Sequence, residues 1–209
     1  MILRAVVGIA ITVIILAFAG KRLWFLISLA RSGKSAVGRT VDPTARVGAE
    51  ATEVLGQRKL LKWTVPGLAH VFAFWGFLVL GLTILESFGA LFVSDFGVPI
   101  IGGWPIVGFL EDLFGLLVLV GIGIFAILRA TNNPAKMGRA SRFFGSHTKG
   151  AWLILFMIFL VVATLFLYRG AQSALGNLPF ASGAFFSDWL GSLMSGLSET
   201  TLQWIETVG

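Results

Sequence analysis

Cysteine is absent from the 209-residue chain. That excludes disulfides, thiolate-held iron–sulfur clusters and thiol chemistry within it. Histidine is nearly absent: with 2 in total, an imidazole metal site must use His70, His147 or both, unless another chain supplies ligands. Charge is scarce as well. Charged residues make up 12% of the sequence, against about 25% in soluble domains, so much of the surface must face a solvent other than water. The mean hydropathy of +0.90 agrees. No nucleotide-binding glycine loop, hydrolase triad or zinc signature is found. A net charge of +6 suits nucleic acid or an anionic membrane face. Because the charges lie in loops between apolar runs, the membrane is the expected partner and nucleic acid is not.

Four apolar runs are long enough to cross a hydrocarbon core of about 30 Å, which takes roughly 20 helical residues. They cover residues 2–20, 65–93, 104–128 and 151–168. Lipid offers backbone groups no partners and the runs lack the alternation of barrel strands, so helix is expected throughout. Residues 1–168 therefore read as a four-helix transmembrane domain of an all-α membrane protein. Arg4 followed by an apolar stretch and Ala17-Phe18-Ala19 imitates a signal peptide. However, Lys21, Arg22, Arg31 and Lys34 come after that stretch, which fits an uncleaved helix with its N-terminus outside. The connections over 21–62 and 129–149 hold fourteen of the 16 Lys and Arg residues, whereas 94–103 holds none. The two basic connections are thus expected in the cytoplasm.

Residues 51–63, ATEVLGQRKLLKW, suggest a short amphipathic helix on the membrane surface. Residues 169–209 are expected outside, as an amphipathic segment. Phe186, Leu190, Leu193 and Leu197 share a helical face, as in an interfacial helix. The sequence ends without a closing polar tail. The expected fold is therefore a bundle of four transmembrane helices plus an outer interfacial helix, truncated from a five- or six-helix haem-binding domain whose further span is missing.

The ionisable groups inside the spans are the candidates for chemistry, because such groups are rare in lipid. His70 lies in PGLAHVFAFWGFLVLG. It is either a haem ligand or a structural histidine bonded to a neighbouring helix or headgroup. His147, in FFGSHTKG, is either a second ligand or an ordinary loop histidine. Both belong to the cytoplasmic side, and two imidazoles on different helices at similar depth are what six-coordinate haem iron needs. Gly67 and Gly81 would admit a flat macrocycle, with Phe72, Phe74, Trp75 and Phe77 as apolar walls. Arg58, Lys59 and Lys62 could neutralise propionates or simply anchor the helix among phosphates. Glu86, Glu111 and Asp112 stand toward the outside. Glu86 and Glu111 are candidates for moving quinone protons, while Asp112 reads rather as solvated at the interface. The GIGIF run at 121–125 reads as a helix-packing surface.

The stretch QRKLLKWTVPGLAHVFAFWGFLVLGLTILESFGALF at 57–92 resembles the N-terminal membrane domain of the heterodisulfide-reductase-related (Fe–S)-binding reductases. FLEDLFG at 109–115 and SRFFGSHTKGAWLILFMIF at 141–159 resemble the same family. That family includes the actinobacterial membrane partner of electron-transfer flavoprotein. More distantly the chain is similar to the gamma subunit of respiratory nitrate reductase. The resemblance implies a bacterial cytoplasmic membrane protein with haem b that exchanges electrons with menaquinone. It also implies a cytoplasmic iron–sulfur domain with 4Fe–4S clusters, fed by a flavoprotein. His70 matches the histidine on the second helix of the haem-binding fold. The family's usual partner histidine lies on a fifth helix, which is missing here, as are the cluster cysteines. Either His147 completes the haem site, or this chain alone cannot hold haem as the longer proteins do.

The resulting expectation is a membrane electron-transfer module, part of a quinone-linked oxidoreductase, with His70 as axial ligand and His147 as a second. The competing expectation is a non-redox membrane scaffold or transporter-like subunit in which His70 is structural.

Overall fold

The computed structural model describes residues 2–33, 42–93, 96–131, 149–179 and 182–208. Among these the long elements are helices, with no strand: α1 (Ile2–Arg31), α2 (Pro43–Glu50), α3 (Thr64–Ala90), α4 (Pro105–Thr131), α5 (Lys149–Leu175), α6 (Phe185–Met194) and α7 (Glu199–Val208). Four are long and apolar enough to cross a membrane: α1, α3, α4 and α5. The fold is an all-α membrane bundle.

Two compact units emerge, one of residues 1–56 with 87–96 and one of residues 57–86 with 97–209. In the first, α1 continues past residue 20 to Arg31, since Lys21 and Arg22 do not break a helix and Arg22 extends over the Phe25 ring at 5.3 Å. Asp42 caps α2 by accepting from Thr44 and Ala45 backbone amides at 2.9 and 3.1 Å, with Pro43 preset for the first helical position. A π turn over Ala51–Leu55 continues it.

The single amphipathic helix expected at 51–63 is therefore corrected to two pieces. The chain breaks at Gly56–Gln57, where Gln57 takes a left-handed φ of 52°, and a 3₁₀ turn, Leu60–Lys62, follows. Left-handed backbone disfavours any helix running through this point.

The second unit carries the packed core. Val118, Ile122, Val162 and Phe166 form its buried centre between α4 and α5. Along α4 the buried residues Val107, Gly108, Glu111, Asp112, Gly115, Val118, Gly121 and Ile122 recur at helical spacing and make one inward stripe. Glycines let helices approach. A Cβ on Gly76 of α3 would meet Val118 of α4, and one on Gly121 of α4 would lie 2.9 Å from the Ala69 carbonyl of α3. In the GIGIF run, Gly121 is thus a packing position, whereas Gly123 has open space around it.

The fourth span also outruns its expected limit. α5 passes through Tyr168 and Arg169 to Leu175, so the boundary placed between residues 168 and 169 falls inside a continuous helix. Gly176, with φ of 75°, then ends it, and Asn177 N–H donates to Gln172 O at 2.8 Å, the bond pattern that glycine permits at a helix C-terminus.

Beyond that point the tail forms two helices packed back on α5. Its most buried positions are Ser187, Gly191 and Met194; of the expected apolar row, Phe186 and Leu190 pack against the core, while Leu193 and Leu197 are exposed. The reason is steric: a Cβ on Gly191 would lie 2.6 Å from Ser173 Cβ and 3.0 Å from the Gly170 carbonyl, so small residues define the crossing. Met194 packs with Ala171 and Leu202, joining α5, α6 and α7.

Candidate functional site

The candidate ionisable groups of the second unit fall at two levels. Six residues into α3, or about 9 Å by helix rise, stands His70. Its ring is exposed at the surface of the unit. Nδ1 lies 2.9 Å from Gln57 Oε1. Gln57 itself is 4% exposed, held by the left-handed turn that precedes α3. An amide oxygen only accepts, so the imidazole donates from Nδ1 and leaves the Nε2 lone pair directed away from Gln57.

Gly67 and Arg58 were expected to serve a cofactor beside His70. A Cβ on Gly67 would collide with the carbonyl of Leu60, so the room this glycine makes is taken by the chain's own backbone. Arg58 is exposed. Gly81 has open space at its Cβ position. His147 lies outside the described residues. No group of three or more His, Cys, Asp or Glu side chains suited to a metal ion occurs among the described residues.

The other level gathers the acids. Glu86 is about one turn from the end of α3, Glu111 lies six residues into α4, and Arg169 six residues before the end of α5, which places all three about 6–9 Å inside their helix ends. Arg169 Nη2 donates to Glu111 Oε2, and Arg169 Nη1 is 3.7 Å from Asp112 Oδ1. These three side chains are buried, at 3%, 1% and 0% exposure. Glu86 shares the electrostatic environment of Glu111 and Arg169.

Asp112 was expected to be solvated, and this is a correction. It accepts from the backbone amides of Phe186 and Ser187, both at 2.8 Å, and from the Ser187 hydroxyl at 2.6 Å. Those amides are the free N–H groups of the first turn of α6, where Ala184 supplies no side-chain cap. A carboxylate satisfies them and faces the positive end of the helix dipole. The signal was present in the sequence: Asp112 lies on the same face of α4 as Gly108 and Gly115, inside the buried stripe.

Arg169 is the site residue that sequence reasoning missed. Its signals were Val162 and Phe166, seven and three residues earlier on the same face, and two acids at matching depth on the preceding span.

Beside the acids is a cleft of about 360 Å³ between α3 and α4. Residues of α3 from Trp75 to Leu82 form one wall; Val107, Leu110 and Glu111 of α4 form the other. Among the described residues, Glu111 is the only ionisable group lining it, and Glu111 Oε1 is buried without a hydrogen-bond partner. Glu86, one turn beyond Leu82 on α3, likewise has an unpartnered oxygen, Oε1. The structure therefore brings Glu86 and Glu111 together, adds Arg169 and Asp112, and keeps His70 at a separate level.

No protein-family model matches this sequence, and no curated protein or solved structure shows significant similarity to it.

Proposed function

We propose that the chain is a membrane electron-transfer module that passes electrons between a cytoplasmic iron–sulfur or flavoprotein donor and a membrane quinone, menaquinone by the family resemblance, through haem b. The observation that carries this reading is the bond between His70 Nδ1 and Gln57 Oε1. Histidines that ligate metals usually donate their other ring N–H to a fixed acceptor, which sets the tautomer and raises ligand basicity. Gln57 is such an acceptor, and the exposed ring presents Nε2 outward from α3, the donor atom that haem iron takes. Among the described residues, His70 would hold the haem iron through Nε2. His147, outside the described residues, is the proposed second ligand.

Bound haem b would supply one-electron chemistry. The rest is done by the chain. Gln57 orients the imidazole. Trp75, about 8 Å along α3 from His70 by helix rise, begins the wall of the cleft that ends at Glu111. Glu86 and Glu111, each with a buried oxygen lacking a hydrogen-bond partner, would hold quinone protons. In this reading the protein sits in a bacterial cytoplasmic membrane with its N-terminus outside, the basic connections face the cytoplasm, and the acids lie toward the outer face.

The test is optical. The chain expressed with ample haem should show reduced haem b absorbance, and His70→Ala should abolish it while helix content stays unchanged. A colourless wild-type protein overturns the proposal. It would favour the second reading, a non-redox scaffold, which the buried joint of Arg169, Glu111, Asp112 and Ser187 supports on structural grounds.

A further inference from the structure

We infer that the segment over residues 57–63, folded back against the start of α3, is a binding site for an anionic phospholipid, with Arg58 and Lys62 on its headgroup. The inference depends on neither haem nor quinone chemistry.

The backbone path sets the level of the site. Gln57 Oε1 lies 2.9 Å from His70 Nδ1, and the Leu60 carbonyl fills the room beside Gly67, where a Cβ would collide with it. Residues 57 and 60 are thus laid against positions 70 and 67. The segment runs back alongside the first two turns of α3. That helix has 27 residues and is about 40 Å long by its rise, about 10 Å more than the hydrocarbon core. Its first turns therefore fall in the headgroup layer, and the segment beside them lies among lipid phosphates.

The side chains suit that layer. Arg58, Lys59 and Lys62 are exposed. Between and beside them Leu60, Leu61 and Trp63 are exposed at 40%, 45% and 75%. Acyl chains cover such leucines, and tryptophan favours the level where chain meets headgroup. The unit's charges also sort by end. No Asp or Glu occurs over residues 57–85. Its acids lie toward the other end, as Glu86 near the close of α3, Glu111 and Asp112 near the start of α4, and the acids of the two tail helices beyond α5.

Each feature removes an alternative occupant. A soluble polyanion would meet the cations and leave the leucines bare. A zwitterionic lipid would cover the leucines and bring no net charge. An anionic phospholipid answers both demands, and the planar fork of Arg58 matches a phosphate. Gly67 has a positioning role, since only a residue without a side chain lets the Leu60 backbone come this close.

The experiment uses the full chain, prepared without haem, in bilayers of phosphatidylglycerol and phosphatidylcholine. One lipid of the pair is brominated near the glycerol end of its acyl chains, then the other. Quenching of Trp63 is read as the difference between wild type and Trp63→Phe. Phosphatidylglycerol should be preferred at this position by at least about fivefold, the worth of one cation at an anionic surface. The double variant of Arg58→Gln and Lys62→Gln, which changes only exposed side chains, should bring the preference close to one. Gly67→Ala leaves every charge in place and displaces the segment, so it should also lower the preference, with helix content unchanged.

Equal quenching by the two lipids in wild type overturns the site, as does a preference that survives the double variant. A preference undiminished in Gly67→Ala means diffuse charge and rejects a site built by the folded-back segment. Loss of the preference on adding inorganic phosphate at constant ionic strength rejects the lipid as the occupant.

Discussion

The histidine level and the acidic level of the same helical unit solve the problem of polar groups among apolar helices in opposite ways. Around Arg169 the groups are buried and tied to one another: two carboxylates, a guanidinium, a hydroxyl and the first amides of α6 form one network across three helices. Around His70 the ring is exposed and has one fixed bond, to a buried glutamine. A closed network holds helices together and leaves little capacity for a ligand, apart from the Glu111 and Glu86 oxygens that it leaves over. An exposed ring with one nitrogen fixed contributes little to packing and keeps its other nitrogen for something else. The contrast puts a helix-joining network at one level and a ring with only one nitrogen tied down at the other.

The largest effect should come from removing the cation at the closed level. Arg169→Ala strands Glu111 and Asp112 in a buried environment, and breaking a buried pair by deleting one partner costs about 3–5 kcal/mol. Thermal unfolding in detergent should show the variant as the least stable of the series. Adding Glu111→Gln and Asp112→Asn to Arg169→Ala should recover much of the loss, because the stranded charges are then gone. A variant as stable as wild type would mean that this network does not join the helices.

Asp112→Ala should follow at about 2–3 kcal/mol, from the loss of a helix cap and of hydrogen bonds to a charged group. The effect should also be local. Amide exchange should rise in the first turn of α6, at Phe186 and Ser187, while the α3 amides around Ala69 keep their protection. Asp112→Asn retains an acceptor oxygen and should lose less. Uniform loss of protection would show that α6 is not held mainly through this carboxylate.

How much of this was legible beforehand differs between the two levels. The four spans were readable because length and hydropathy alone decide what can cross lipid, and Glu86 and Glu111 stood out because an acid in such a run is rare. Asp112 was misread because proximity to a helix start suggested water, although its place on the stripe with Gly108 and Gly115 pointed inward. Arg169 was passed over because the apolar run stops at Tyr168, yet helix continues wherever partners satisfy it, and two acids on α4 do so. The Gln57–His70 bond could not be foreseen. It depends on a left-handed residue at Gln57, and no local pattern announces one in a residue other than glycine. The packing of α6 was hidden for a related reason: Ser187 and Gly191 decide it by being small, and the larger apolar residues of the tail drew attention to another face.

At the histidine level, a smaller effect is expected from the Gln57–His70 pair. In haem-free protein, a double-mutant cycle with Gln57→Ala and His70→Ala should give a coupling of about 0.5–1.5 kcal/mol, that of an ordinary hydrogen bond. Gln57→Gly should be less damaging than Gln57→Ala, because only glycine takes a φ near 52° without cost. A coupling of zero would remove the fixed acceptor on which ligation by His70 depends.

The smallest effect is expected midway along α3, and it bears on what surrounds the histidine. Gly81 lies eleven residues beyond His70, and a Cβ there meets nothing within 4 Å. Alanine at an open helical position should stabilise by about 0.5–1 kcal/mol, whereas the same change at Gly76, whose Cβ would collide with Val118, should destabilise by about 1–3 kcal/mol. The sign of the Gly81→Ala effect is therefore informative despite its size. If Gly81 simply faces lipid, Gly81→Ala raises the unfolding temperature slightly and leaves any haem absorbance unchanged. If a macrocycle held at His70 reaches down α3 to the room this glycine leaves, the same substitution stabilises the haem-free protein and weakens haem retention. Measuring both quantities on one variant separates a glycine that lipid covers from one that a cofactor requires.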